Sequence, residues 1–224
     1  MRNAYQISLN QLAVFPGLTE AGKRRVIAQQ LQPDPFRIPW YQLPRGRLKK
    51  SIEQNGNLKP IYDGINALMK RKPENRRQET DRKVSIEALE RYLSIKLPRL
   101  FKEVKFEIIK PGIKSLPISG LEVIVAPDLI VRGQLNGQIV VGAVKFHICK
   151  RKPFDLQESK RVASTIFRYL NKVFDKEEMT ILPELCCCYD VFSDRIMTAR
   201  DTDDHVVREV DSICNEIRHY YDVV

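Results

Sequence analysis

Between residues 120 and 149, two apolar stretches, GLEVIVAPDLIVRG and GQIVVGAVKFHIC, meet at Leu135-Asn136-Gly137. Both are rich in β-branched residues, and a short Asn-Gly connection between two such runs is a strong local signal for a hairpin. A sheet therefore lies at the centre of whatever the chain forms. Each strand carries one charged residue among apolar neighbours: Asp128 after Pro127 in the first, and Lys145 between Val144 and Phe146 in the second. A buried charge costs several kcal/mol unless it is paired or bound. The two residues are therefore expected to face one another across the hairpin, either as a plain salt bridge or as part of a site.

The sequence around the hairpin is regular. Ser85 reads as the cap of a helix whose apolar residues Ile86, Leu89, Leu93, Leu97 and Leu100 recur at helical spacing, with Pro98 near its end. VKFEIIK, 104–110, alternates like a strand. A helix over 155–174 places Val162, Ile166, Tyr169, Leu170 and Val173 on one side, ELCCCYDVF reads as a buried strand, RIMTA as another, and a last helix spans about 202–220. This order predicts an α/β domain over residues 84–224, with a central mixed sheet flanked by helices.

Residues 1–83 differ in composition. They hold 17 Lys and Arg against 7 Asp and Glu, so the whole net charge of +10 lies there, while residues 84–224 are neutral and 177–224 carry −8. Thr19 is the expected cap of a helix EAGKRRVIAQQL that stops before Pro33, and Pro33, Pro35, Pro39 and Pro44 predict an extended path. Asn55-Gly56 reads as a turn before a short helix over 61–69. Few positions suit a core, so this basic N-terminal extension is expected to pack on the larger domain.

The densest basic runs are PRGRLKK, 44–50, and KRKPENRRQETDRK, 70–83. Such runs favour polyanions, because cations near phosphates release counterions, and Trp40 and Tyr41 beside the first run offer surfaces for base stacking. The expected nucleic-acid contacts are Trp40, Tyr41, Arg45, Arg47, Lys49, Lys50, Arg76 and Arg77. A solvated basic face anchored by Trp40, or a surface for an acidic protein partner, fits the same residues.

No apolar run approaches the length of a membrane span, and the first fifteen residues lack the apolar core of a secretion signal, so a cytoplasmic protein without membrane contact is expected. The five cysteines, Cys149, Cys186, Cys187, Cys188 and Cys214, contain no CxxC pair. Buried reduced thiols account for them better than an iron-sulfur cluster does.

With Pro127-Asp128 on one strand, Lys145 on the next and this order of elements, residues 84–200 resemble the core of the PD-(D/E)xK nuclease superfamily. The resemblance implies a restriction endonuclease-like fold in which Asp128 and a second acid two residues before the lysine hold Mg²⁺ or Mn²⁺, while Lys145 orients water. The second position is Ala143, which cannot bind a cation. Some tetrameric restriction enzymes supply that acid from the next helix, 12 residues beyond the lysine. Here residues 146–157 separate Lys145 from Glu158.

Glu158 would then be the second metal ligand. It is equally placed as the third helical residue of a capping box with Asp155. A further carboxylate is expected from the helix before the sheet, where Glu90 is preferred over Glu87. His147 shares a strand face with Ala143 and Lys145, either lining the site or making an ordinary hydrogen bond. Lys160, Arg161 and Arg168 are either phosphate contacts or the wet face of their helix.

The expectation is a Mg²⁺-dependent nuclease hydrolysing DNA phosphodiesters, in restriction, repair or defence. Two alternatives stand beside it. One is an inactive nuclease-fold subunit that binds DNA, a protein partner or a second copy of itself, and the other is an RNA-processing or RNA-binding protein.

Overall fold

The computed structural model describes residues 5–32, 40–110, 112–175 and 178–223. The predicted hairpin is present as β5 (Leu129–Leu135) and β6 (Gln138–His147), which pair antiparallel with Leu135 opposite Gln138. Asn136 and Gly137 both have positive φ, 51° and 82°, the geometry that two-residue turns need to follow the twist of their strands. Strand β6 then pairs in parallel with β7 (Thr180–Asp190). A parallel return requires a crossover, and it is made by α7 (Leu156–Val173). The edge strands β2 (Phe106–Ile109) and β8 (Arg195–Thr198) complete a mixed sheet of order β2-β5-β6-β7-β8.

Both faces of this sheet are covered, so its central strands read as continuous apolar runs. Ala143, Cys186 and Cys188 face a cluster with Val162 and Ile166 of α7 and with Ile213 and Ile217 of α8 (Asp204–Val223). Val144, Phe146, Cys187 and Tyr189 face the opposite cluster. The three consecutive cysteines are thus split between the two cores by strand alternation. A bulge between Val141 and Ala143 shifts the β6–β7 register at Gly142, where a Cβ would collide with the backbone of Leu185.

The first of the two apolar stretches is not one strand. It is cut at residues 125–128 into β4 (Leu121–Ile124) and β5, which belong to different sheets. Ala126 takes φ of 37°, Pro127 has no N–H to offer a ladder, and the N–H groups of Val125 and Ala126 both donate to the carbonyl of Lys114. β4 pairs with β3 (Ser115–Ile118) and, in parallel, with β1 (Gln6–Ser8), giving a small mixed sheet β1-β4-β3.

The basic third is largely helical: α1 (Leu9–Val14), α2 (Glu20–Leu31), α3 (Gln42–Glu53), α4 (Lys59–Lys70) and α5 (Arg76–Ser94), with the short α6 (Leu100–Glu103) before the sheet. Thr19 caps α2 as expected, and Asn55 and Gly56 turn the chain between α3 and α4 with φ of 56° and 83°. The expected extended path fails at Pro44, which lies in the first turn of α3, where a helix makes no use of the missing N–H. Pro33, Pro35 and Pro39 lie outside the described residues.

Helix α5 starts ten residues earlier than Ser85 predicts. Its cap is Asn75, whose side chain accepts the N–H of Gln78, and Ser85 is a buried mid-helix residue. Residues 76–83 are all polar and none is buried, so they carry no apolar periodicity to reveal them. Position 83 therefore falls within a helix.

The N-terminal residues serve both cores. Leu48, Ile52, Ile61, Ile65 and Leu68 of α3 and α4 pack in the cluster under Val144 and Phe146. Ile7, Leu9, Leu12 and Phe15 join the α7 side. Two arginines suggested as phosphate contacts are structural: Arg161 is buried and joins the Ala13 carbonyl to Glu209, and Arg168 pairs with Asp211. Among the described residues, no helix is long and apolar enough to cross a membrane.

Candidate functional site

Asp128 stands at the entry to β5, not in mid-strand. Its N–H donates to the Val144 carbonyl and its Oδ2 accepts the N–H of Phe146 at 2.8 Å, so the carboxylate caps the end of the β5–β6 ladder. The side chain is only 8% exposed. Its cationic partners come from α3: Arg45 Nη1 donates to Oδ1 at 2.7 Å and Lys49 Nζ lies 3.7 Å away. Arg45 and Lys49 are four apart and share a helix face, which delivers both to one carboxylate. Arg45 also reaches the Phe146 carbonyl at 3.3 Å.

Lys145 does not close a simple salt bridge with Asp128. Its ammonium donates to the carbonyls of Val125, at 3.1 Å, and Ala126, at 2.7 Å. It thereby braces the bend at Ala126, a conformation that costs a non-glycine residue about 1–3 kcal/mol. Burial lowers the Lys145 pKa; the Asp128 charge opposes this, and Arg45 and Lys49 reinforce it. Arg45 and Lys49 of α3 thus pair with the carboxylate directly, and Lys145 of β6 feels its charge through space.

Ala143 is fully buried, between Ile130 of β5 and Cys186 of β7. Glu158 forms the capping box. Its Oε2 accepts the N–H of Asp155 at 2.8 Å and its own N–H donates to Asp155 Oδ1 at 2.7 Å, so its carboxylate is engaged at the start of α7. Burial raises its pKa, the Asp155 N–H opposes that, and the Asp155 charge adds to it. Among the described residues, no group of three or more His, Cys, Asp or Glu side chains is placed to hold a metal ion.

The other expected residues fall elsewhere. Glu90 is exposed, and it is Glu87 that turns to the sheet end, pairing with Lys150 at 2.5 Å and Arg91 at 3.4 Å. Lys150 holds the Glu87 carboxyl below its usual range. The His147 ring stacks on Phe154, with centroids 3.5 Å apart, and Nε2 lies 2.8 Å from the Lys152 carbonyl. Burial lowers the His147 pKa.

Tyr41 has φ of 60° and sits against Phe192, whereas Trp40 is 43% exposed with the Arg77 guanidinium 5.5 Å from its ring centroid. Lys50, Arg76 and Arg77 are exposed, and Arg47 packs beside Gly64 of α4. Cys186, Cys187 and Cys188 are buried thiols whose pKa burial pushes up, as the cysteine spacing implies.

Sequence reading missed Asp190. It is fully buried at the end of β7 and accepts the N–H groups of Phe154, Phe192 and Ser193. Its two bonds to residues two and three further on are those of an Asx turn, and Asp190 ahead of Val-Phe-Ser-Asp was the available signal.

A cavity of about 510 Å³ opens beside Asp128, between β2, the 126–130 segment and α3. Lys49, Lys110 and Lys114 contribute cations to it, Glu53 and Asp128 contribute carboxylates, and Ile108, Ile109 and Leu129 contribute apolar surface. No known family model matches the sequence, and no curated protein is similar enough to count as a relative.

Proposed function

We propose that the chain is a nucleic-acid-binding protein built on a nuclease-like core, and that it holds phosphodiester backbones without cutting them. The observation that carries this reading is the setting of Asp128: one carboxylate among Arg45, Lys49 and Lys145, with Ala143 where a second acid would stand. Mg²⁺ needs several hard, preferably anionic, oxygen ligands, and a site with a local surplus of positive charge repels it. The same surplus suits a phosphate.

The sheet order supports the likeness to the PD-(D/E)xK core: β2, β5 and β6 run antiparallel in turn, and β7 returns parallel to β6 through α7. The basic surface supports the partner. Lys50, Lys70, Arg71, Lys72, Arg76 and Arg77 are exposed on α3–α5 and the loop between α4 and α5, with Trp40 beside Arg77.

The second reading, a Mg²⁺- or Mn²⁺-dependent DNA nuclease, is favoured by the charge of Asp128 acting on Lys145 and by Glu158 in the first turn of the next helix. It requires Glu158 to leave the Asp155 N–H and Asp128 to release Arg45. Fluorescence anisotropy with duplex DNA, single-stranded DNA and RNA, over a range of salt, tests binding. The expected slope of log K against log salt is roughly −4, for four or five cations on phosphates. Incubation of plasmid, linear and RNA substrates with either metal tests cleavage. The non-cleaving reading fails if either metal supports cutting that Lys145→Ala abolishes.

A further inference from the structure

The cavity beside Asp128 is built for a small ligand with two chemistries. Its volume of about 510 Å³ lies inside the range of roughly 300–1,000 Å³ typical of small-molecule sites. Ile108 and Ile109 on the edge strand β2, with Pro127 and Leu129 at the start of β5, give it an apolar wall. Lys110 and Lys114 are exposed, and Lys49 keeps 35% of its side chain open while it lies 3.7 Å from Asp128. Each can turn to an anion in the cavity without leaving a buried partner unpaired. Glu53 and Asp128 supply acceptors in the same space.

An apolar surface suits the flat face of a base, lysines suit a phosphate as point charges, and carboxylates accept from sugar hydroxyl or base amino groups. We propose that this cavity binds one nucleoside monophosphate unit, with its phosphate on Lys49, Lys110 and Lys114 and its base against Ile108, Ile109 and Pro127. The inference rests on the reading of the chain as a nucleic-acid binder and specifies where a single unit is held, apart from the helical surface that tracks a backbone. The unit is either a free nucleotide or the phosphorylated end of a strand.

The test is titration of the full chain with dAMP, inorganic phosphate and a 5′-phosphorylated oligonucleotide. It is followed by calorimetry and by methyl NMR shifts of Ile108, Ile109 and Leu129. Wild type should bind dAMP with those methyls shifting, and the double variant Lys110→Glu, Lys114→Glu should bind at least about tenfold more weakly, a loss of about 1.4 kcal/mol. Both side chains are exposed, so an unchanged urea midpoint separates lost binding from lost folding, and the wild-type methyl shifts locate the ligand independently of any variant.

Binding of the phosphorylated strand without free dAMP assigns the cavity to strand ends. Binding of both assigns it to the nucleotide unit itself. Phosphate binding as tightly as dAMP, methyls that do not move, or an undiminished affinity in the double variant each overturns the proposal. A wild type that binds duplex DNA but neither dAMP nor the phosphorylated end loses only the cavity. One that binds dAMP but no polynucleotide loses only the backbone-binding function.

Discussion

Asp128→Ala separates a carboxylate held by internal cations from one waiting for a metal. The substitution removes the acceptor of two charge-assisted bonds, from Arg45 at 2.7 Å and from the Phe146 N–H at 2.8 Å. A hydrogen bond to a charged group contributes about 1.5–3 kcal/mol, whereas a partly exposed ion pair contributes about 1 kcal/mol or less. Arg45 keeps 33% of its side chain exposed, so its share belongs at the lower figure, while the buried Phe146 N–H is left without a partner. The expected destabilisation is about 2–4 kcal/mol for Asp128→Ala, and about 1–2 kcal/mol for Asp128→Asn, whose amide oxygen still accepts from Phe146.

Urea unfolding in the presence of chelator measures these losses. Nucleic-acid affinity should move the other way, since the change frees Arg45 and Lys49 for phosphates and steepens the salt slope by about 1–2. A carboxylate poised for Mg²⁺ predicts a different pattern: removing it without metal costs little, and Mg²⁺ stabilises wild type but not the variant. An Asp128→Ala protein as stable as wild type in chelator, together with Mg²⁺ stabilisation that only wild type shows, would refute the reasoning.

Further outcomes follow from the same geometry. Lys145→Met leaves the Val125 and Ala126 carbonyls without their donor, so urea unfolding should show a loss of about 1–3 kcal/mol, while Ala126→Gly should be tolerated because glycine takes positive φ freely. Glu158→Ala should cost about 0.5–2 kcal/mol through the lost capping box, and Glu158→Gln less. Because burial raises the Glu158 pKa in the folded state, the stabilisation linked to its protonation, separate from the capping bonds, is fully present below the ordinary value of 4.5 and is lost as pH rises through the raised value; acid titration of Glu158→Gln should lack that window. Ala143→Asp should not create a nuclease, since it places a carboxylate in a fully buried position at a cost of at least about 3 kcal/mol, read as a lower urea midpoint with no cleavage in Mg²⁺.

The elements that could be read from the sequence are those whose signals are local. Asn136-Gly137 sets the β5–β6 turn by its own backbone preferences, and α7 announces itself through Asp155 and Glu158 at one end and an apolar stripe along its length. The small sheet was invisible because its strands are three or four residues long and its parallel pair joins Gln6 to Glu122, a contact no local pattern can encode. The cut at residues 125–128 had one available signal, Pro127, outweighed by the apolar residues on either side of it. The polar residues 76–83 hid the start of α5, because a helical segment without apolar side chains has no apolar face to repeat.

The site divides along the same line. Asp128 and Lys145 could be singled out because a charge inside an apolar run needs an explanation, but the identity of their partners is tertiary information. Arg45 and Lys49 stand at helical i, i+4 spacing, and that spacing would have placed both on one face had the surrounding prolines not argued for an extended chain. Once α3 is a helix, its basic face becomes the internal counterion of Asp128. Without α3 in place, the Asp128 carboxylate would be uncompensated. Ala143 then needs no relocated acid to explain it: it is fully buried between Ile130 and Cys186, and Lys145 on the same strand face already donates to the carbonyls of the 125–126 bend, so a carboxylate there would be buried without a partner.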